Sequence, residues 1–190
     1  MMLNRPHRAA SFCHLLACFL LMMSCSAFGV EPEILVGIEK SGEAFVVNAR
    51  INLQVPLRTA WEVLTDFEHM SSILSNLASS RIVRRNGNTL IVDQEGAAHY
   101  GIFSYSFASE REIRLEPMKR IFARQISGNA KRFESELELS QTGLVTLIRY
   151  RAEVVPDSGI GRSFGGTFIQ HEVEEQFTAL VAEMKRRSAQ

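Results

Sequence analysis

The chain holds few residue types at spacings that could do covalent chemistry. Outside the first fifteen positions its histidines are His69, His99 and His171. No pair of them has metal-ligand spacing, and no His-x-x-x-His falls on a helical stretch, so no metal site is expected. Ser163 and the other serines lack a Gly-x-Ser-x-Gly elbow. Gly159, Gly161, Gly165 and Gly166 show no phosphate-cradling pattern and read as a flexible loop or gate. Asp66 reads as a structural cap or surface acid. What remains is polar side chains set among apolar ones at two-residue spacing. Gln94 stands between Val92 and Gly96, Ser135 between Phe133 and Leu137, and Arg124 between Phe122 and Ile126. Arg111 shares a strand face with Phe107 and Ile113. A buried polar group must find a partner, and a few convergent polar groups on apolar walls make a small-molecule site. The face of Arg124 stays open, and a bulge would turn Arg111 outward. Tyr105, Phe107, Phe133, Tyr150 and Phe168 would either pack together or line such a site.

These residues need elements to position them, and the chain changes rhythm where the elements change. Ile51, Leu53 and Val55 alternate as in a half-buried strand, and Pro56 then suits a helix start. Ala60, Leu64 and Phe67, with Trp61 beside them, give one apolar helical face. The pattern breaks at Met70-Ser71-Ser72, and Ile73, Leu74 and Leu77 suggest a second short helix. From Arg81 the period is two. Asn86-Gly87-Asn88 signals a hairpin, and further turns fall at Glu116-Pro117, Gly128-Asn129 and Gln141-Thr142-Gly143. The strand around Phe133, Ser135, Leu137 and Leu139 is the most one-sided. The next shows Leu144, Ile148, Tyr150, Ala152 and Val154 on one face, with Val145 and Leu147 unexpectedly on the other.

Six strands joined by tight turns form an antiparallel meander with one covered face. The cover is a helix from Ser163 to Arg187, with Ile169, Val173, Phe177, Leu180 and Met184 as its stripe. Glu172, Glu174, Glu175 and Glu183 take its other face. The expected fold is therefore α+β: a curved antiparallel sheet of about seven strands around a long C-terminal helix, with two short helices after the first strand.

The N-terminus speaks to location. Asn4-Arg5-Pro6-His7-Arg8 precedes an apolar run from Leu15 to Met23, and small residues follow from Ser24 to Gly29. Residues 1–29 are expected to be a cleaved signal peptide, 30–44 a mostly polar lead-in and 45–187 a single domain. That places the product in a bacterial periplasm or outside the cell. A lipid-anchored form through Cys25 is the lesser alternative. Cys13, Cys18 and Cys25, the three cysteines, all lie in this leader, so the domain has neither disulfide framework nor thiol nucleophile. Lysine plus arginine balance aspartate plus glutamate at 21 each, which lacks the basic excess of nucleic-acid binding.

The order of these segments resembles the START-like, or SRPBCC, superfamily of Bet v 1-like helix-grip domains, and within it the polyketide cyclase/dehydrase and coenzyme Q-binding branch. Val55-Pro56 followed by Ala60-Trp61-Glu62-Val63-Leu64-Thr65-Asp66-Phe67-Glu68 looks like the opening of that branch. Val92-Asp93-Gln94-Glu95-Gly96 matches its middle strand. Ser127-Gly128-Asn129-Ala130-Lys131-Arg132-Phe133-Glu134 matches its glycine turn, and Arg149-Tyr150 to Pro156 its closing strand. One departure is Ser75-Asn76, where the branch often has proline after its second short helix.

The resemblance implies a largely apolar cavity for a lipid, isoprenoid quinone or polyketide-like aromatic, with transient membrane contact and no cofactor. Candidate cavity residues are Gln94, Tyr105, Phe107, Arg111, Phe133, Ser135, Tyr150, Phe168, Val173 and Phe177. Three readings follow. The first is a noncatalytic carrier. The second is a cyclase or dehydrase using Tyr105, Tyr150, Arg111 or Gln94 to give protons or position substrate. The third is a cavity-free interaction module, marked by an exposed apolar patch on the outer face of the sheet.

Overall fold

The structure, a computed structural model, describes residues 32–100, 103–157 and 165–190. Residues 1–29, expected to be a leader, and the segment holding Gly159, Gly161 and Ser163 lie outside the described residues. The chain runs β1 (Glu33–Ser41), β2 (Ala44–Leu53), α1 (Leu57–Leu64), a 3-10 turn (Phe67–His69) and α2 (Met70–Ile73). Then come β3 (Leu77–Asn86), β4 (Thr89–Tyr100), β5 (Phe103–Glu116), β6 (Arg120–Gly128), β7 (Ala130–Thr142), β8 (Val145–Pro156) and α3 (Gly165–Ser188).

All eight strands form one antiparallel sheet in the order β1-β2-β8-β7-β6-β5-β4-β3. The meander β3 to β8 is closed onto the start of the chain by pairing β2 with β8, where Ile51 meets Ile148. Register shifts in β3–β4, β5–β6 and β7–β8 bend the sheet, since each extra residue adds local twist. Its concave face holds α3, making a helix-grip fold.

Several details depart from expectation. The sheet gains an eighth strand, β1, in the stretch read as lead-in. Ile34, Val36 and Ile38 turn toward the interior, and α3 packs on this strand. The second short helix is Met70–Ile73, placed where a break was expected, and Leu77 instead opens β3. Leu144 is 79% exposed at the β7–β8 turn. The inward position there belongs to Thr146, whose hydroxyl donates to the Val55 carbonyl at 2.7 Å. Gly165 and Gly166 belong to α3, not to a loop. Pro56 is the cap rather than the first helical residue of α1. Its ψ is 138°, and its carbonyl accepts from the Ala60 amide.

The two ends of α3 sit in different surroundings. Toward its C-terminus Leu180, Val181 and Met184 pack in the same core as Ala60, Val63 and Leu64 of α1, and Met184 is wholly buried. Each of the larger side chains among them contributes about 1.5–3 kcal/mol of burial. Outside this plug, Arg187 donates to Asp66 at 2.7 Å and to Glu183 at 2.6 Å, and Asp66 also meets His69 at 2.7 Å. Asp66 thus anchors the 3-10 turn to the helix end. Trp61 packs half-buried against the same core. Toward its N-terminus α3 packs closely on β1 and β2 at Gly166 but borders a hollow along Phe168 and Ile169.

Candidate functional site

Two chambers lie between the sheet and α3, each of about 200 Å³. The outer one is bounded by Tyr105, Gln125, Asn129, Asp157, Gly165 and Phe168. The inner one is walled mainly by apolar side chains, among them Val92, Ile113, Ile121, Leu137 and Phe177, and is floored by Leu64, Phe67, Met70 and Leu74. Phe107, Arg111 and Phe133 line both and so form the partition between them.

The local sequence explains the partition. Alternation along β5 sends Tyr105, Phe107, Ser109, Arg111 and Ile113 to the concave face. The register shift opposite Arg111 leaves the extra residue on β6, at Ile126. Arg111 therefore stays inward, facing Gln125, while Ile126 is pushed out and is 50% exposed. Arg124, its superficial equal in sequence, points outward and pairs with Glu112 at 3.1 Å.

Arg111 donates through Nε to the Ser109 hydroxyl at 3.1 Å, and its guanidinium carbon lies 4.8 Å from the centroid of the Phe133 ring. Burial pushes the guanidinium below its usual range, opposed by Tyr150. Arginine nonetheless remains charged in proteins. Burial raises the Tyr150 phenol, against the pull of Arg111 and a hydrogen bond with Ser135. Its ring meets Phe177 edge-on at 5.4 Å, joining β8 to α3. Near the mouth, burial and the negative charge of Asp157 raise the Tyr105 phenol. Both phenols therefore keep their protons at neutral pH.

Gln94 donates to Ser80 at 3.1 Å, and Ser80 donates to the Phe67 carbonyl at 2.6 Å. This buried relay ties β4 to the 3-10 turn and leaves the rest of the amide to the inner chamber. All ten residues expected at a cavity line one chamber or both. Gln94, Ser135, Tyr150, Val173 and Phe177 stand in the inner one, Tyr105 and Phe168 in the outer one, and Phe107, Arg111 and Phe133 between.

Glu172 and Asn76 belong to this region and were not expected there. Glu172 is buried, not on the wet face of α3, and accepts from the Asn76 amide at 3.1 Å. Its Oε1 and the Asn76 Oδ1 are buried without partners. Burial raises the Glu172 carboxyl, opposed by the Asn76 bond, reinforced by Glu175 and eased by His171 and His99. The Asn76 carbonyl also accepts from Ala97. It passes so close over β4 that a Cβ on Gly96 would lie 2.0 Å from it. Helical spacing was the available signal, because Glu172 follows Ile169 by three and flanks the apolar stripe. No cluster of three or more metal-ligating side chains occurs among the described residues. No described helix is long and apolar enough to cross a membrane.

An eight-stranded antiparallel sheet gripping a helix over a hollow defines a helix-grip domain. Residues 44–189 match the family described as polyketide cyclase/dehydrase and lipid transport, and the chain belongs to that family. No curated protein matches by sequence. Among solved structures, the TTHA0849 protein of Thermus thermophilus is similar at 16% identity over 75% of this chain and 99% of its own, with a TM-score of 0.66. The Zhui aromatase/cyclase of Streptomyces sp. R1128 aligns at 13% identity over 77% and 94%, with a TM-score of 0.61. A STAR-related lipid transfer protein of Xanthomonas axonopodis aligns at 8% identity over 80% and 98%, with a TM-score of 0.59. At these identities the likeness is one of fold.

Proposed function

We propose that the protein is an exported carrier or binder that holds a hydrophobic small molecule between its sheet and α3. The observation that carries this is the pair of chambers meeting at Phe107, Arg111 and Phe133. Together they fall within the roughly 300–1,000 Å³ of small-molecule sites, with apolar walls and a few polar groups. The family description and the lipid transfer protein among the similar structures support the same reading. Export rests on the leader alone. The chambers weigh against the third reading, a cavity-free module. Its mark is also missing among the described residues, because exposed Leu35, Val83, Ile126 and Leu144 are scattered over β1, β3, β6 and the β7–β8 turn. Native mass spectrometry of protein gently extracted from its own cells should reveal a copurifying lipid, quinone or aromatic. A protein that emerges empty and ignores a panel of such compounds would refute the reading.

A second reading, a cyclase/dehydrase-like enzyme, is favoured by one observation. A protonated Tyr150 phenol stands within electrostatic reach of the Arg111 cation inside the inner chamber. Such a pair suits a substrate carbonyl, the phenol giving a proton while the cation stabilises developing negative charge. Tyr150→Phe separates the readings. Lost turnover with unchanged ligand affinity supports an enzyme, whereas altered affinity with no turnover in either protein supports a carrier.

A further inference from the structure

We propose that the ligand of this cavity is an amphiphile with one ionised carboxylate, its acid group held by Arg111 and its apolar tail in the inner chamber. The proposal rests on the hydrophobic-ligand reading and names the head group that reading leaves open.

Arg58, Arg81, Arg120, Arg124, Arg132, Arg149, Arg186 and Arg187 each have a carboxylate within ion-pair reach at or near the surface. Arg50, Arg84, Arg85, Arg114 and Arg151 have no such partner among the described residues, but all five are exposed and water solvates them. Arg111 is set inside a cavity, where a bare charge costs most, and among the described residues it has no carboxylate partner. Its polar contacts are one hydroxyl and an aromatic face. The titratable group that acts on it is the Tyr150 phenol, which lines the same inner chamber. None of the described residues supplies the counter-charge, which is left to a ligand.

The geometry narrows what supplies it. Ser109 occupies the Nε side and Phe133 covers one face of the guanidinium, which leaves the two Nη groups as a planar fork. A carboxylate fits that fork with two parallel bonds. Among the described residues no other lysine or arginine lines either chamber, and Asp157 at the outer mouth adds a negative charge, so the site suits one negative charge at Arg111 and opposes the larger charge of a phosphate. Arg111 marks the end of the apolar inner chamber, so the tail lies inward and the acid at the partition.

Titration calorimetry on the protein stripped of copurified ligand tests this with four probes of equal tail: dodecanoate, methyl dodecanoate, dodecanol and dodecyl phosphate. Dodecanoate should bind at least about tenfold tighter than the ester and the alcohol, and no weaker than the phosphate. Arg111→Met should level the four, and Arg111→Lys should keep part of the preference. A readout independent of any variant is pH. Affinity for dodecanoate should fall as its acid group protonates near pH 4–5, by roughly the ordinary carboxyl values, while affinity for dodecanol holds. If ester and alcohol match dodecanoate, or Arg111→Met keeps the preference, the head-group proposal is wrong and the cavity reading stands. Tighter binding of the phosphate also overturns it. If none of the four binds, the proposal and the hydrophobic-ligand reading fall together.

Discussion

Arg187 and Arg111 are the same residue type at opposite ends of one helix–sheet grip, and they are treated in opposite ways. Arg187 lies at the filled end, with Asp66 and Glu183 at hydrogen-bond distance beside the fully buried Met184. Arg111 lies at the hollow end, with a hydroxyl, a ring and two chambers around it. Where a protein closes its charges and fills its volume, it stabilises itself. Where it leaves both incomplete, it has made room for something else. The filled end holds the helix so that the hollow end can stay open.

The largest test of this contrast is volume. Met184→Ala removes a side chain with no slack around it and should cost about 2–5 kcal/mol in chemical unfolding. Phe107→Ala, beside chambers that already exist, should cost less and admit bulkier ligands. Equal losses would mean that the hollow end is as tightly packed as the filled one. Charge comes next. Arg111→Met should raise the melting temperature of the ligand-free protein, with a gain on the order of 1 kcal/mol. Arg187→Met should lower it by a similar or smaller amount, because its partners are part exposed. The same sign for both would break the comparison.

The smaller tests are slopes against pH, and the two ends should tilt oppositely. Glu172, near the hollow, has its carboxyl raised above 4.5 chiefly by burial. The folded state therefore keeps a proton that the unfolded chain has released. That stability is full below 4.5 and lost as pH rises through the folded value. Glu172→Gln supplies a permanent amide donor to Asn76 Oδ1, so its melting temperature should stay level over the range where the parent declines. Glu183, at the filled end, is lowered to about 2, first by its hydrogen bonds from Arg186 and Arg187. Its contribution is present above 4.5 and lost as pH falls toward the folded value. Water and salt screen it to about 0.2–1 kcal/mol. Melting curves of Glu183→Gln should lose this acid-side decline, and should change little at high salt.

How much of this could be read from the residues depends on whether the information was local. β7 and the α3 stripe declare themselves because each alternates against solvent on one side. The hairpin at Asn86-Gly87-Asn88 follows from a left-handed glycine, with φ 56° at Gly87. β1 was hidden. Its inward Ile34, Val36 and Ile38 look like a weak polar stretch until β2 and α3 cover them. Arg111 and Arg124 have near-identical local patterns, and only the extra residue on β6 separates inward from outward. Bulges come from strand pairing, which no window of sequence contains. Glu172 was assigned to water by its charge, and only the path of Asn76 over Gly96 puts it inside. The ten cavity residues were readable because each needed only its strand or helix face. The partition between chambers was not, because it depends on Arg111 of β5 reaching the Phe133 ring of β7 across the sheet.

The pairing of β2 with β8 also bears on the order of events in time. Asn48 meets Arg151 across more than half the chain, so the sheet cannot close until the last strand has been made. Long-range pairings of this kind slow folding. Until β8 is made, β2 can pair with β1 but keeps its other edge open, and a sheet left open is easier to unravel for threading through a membrane. For a protein proposed to leave the cell interior behind a leader, slowness built into the topology would be an advantage at the translocation pore.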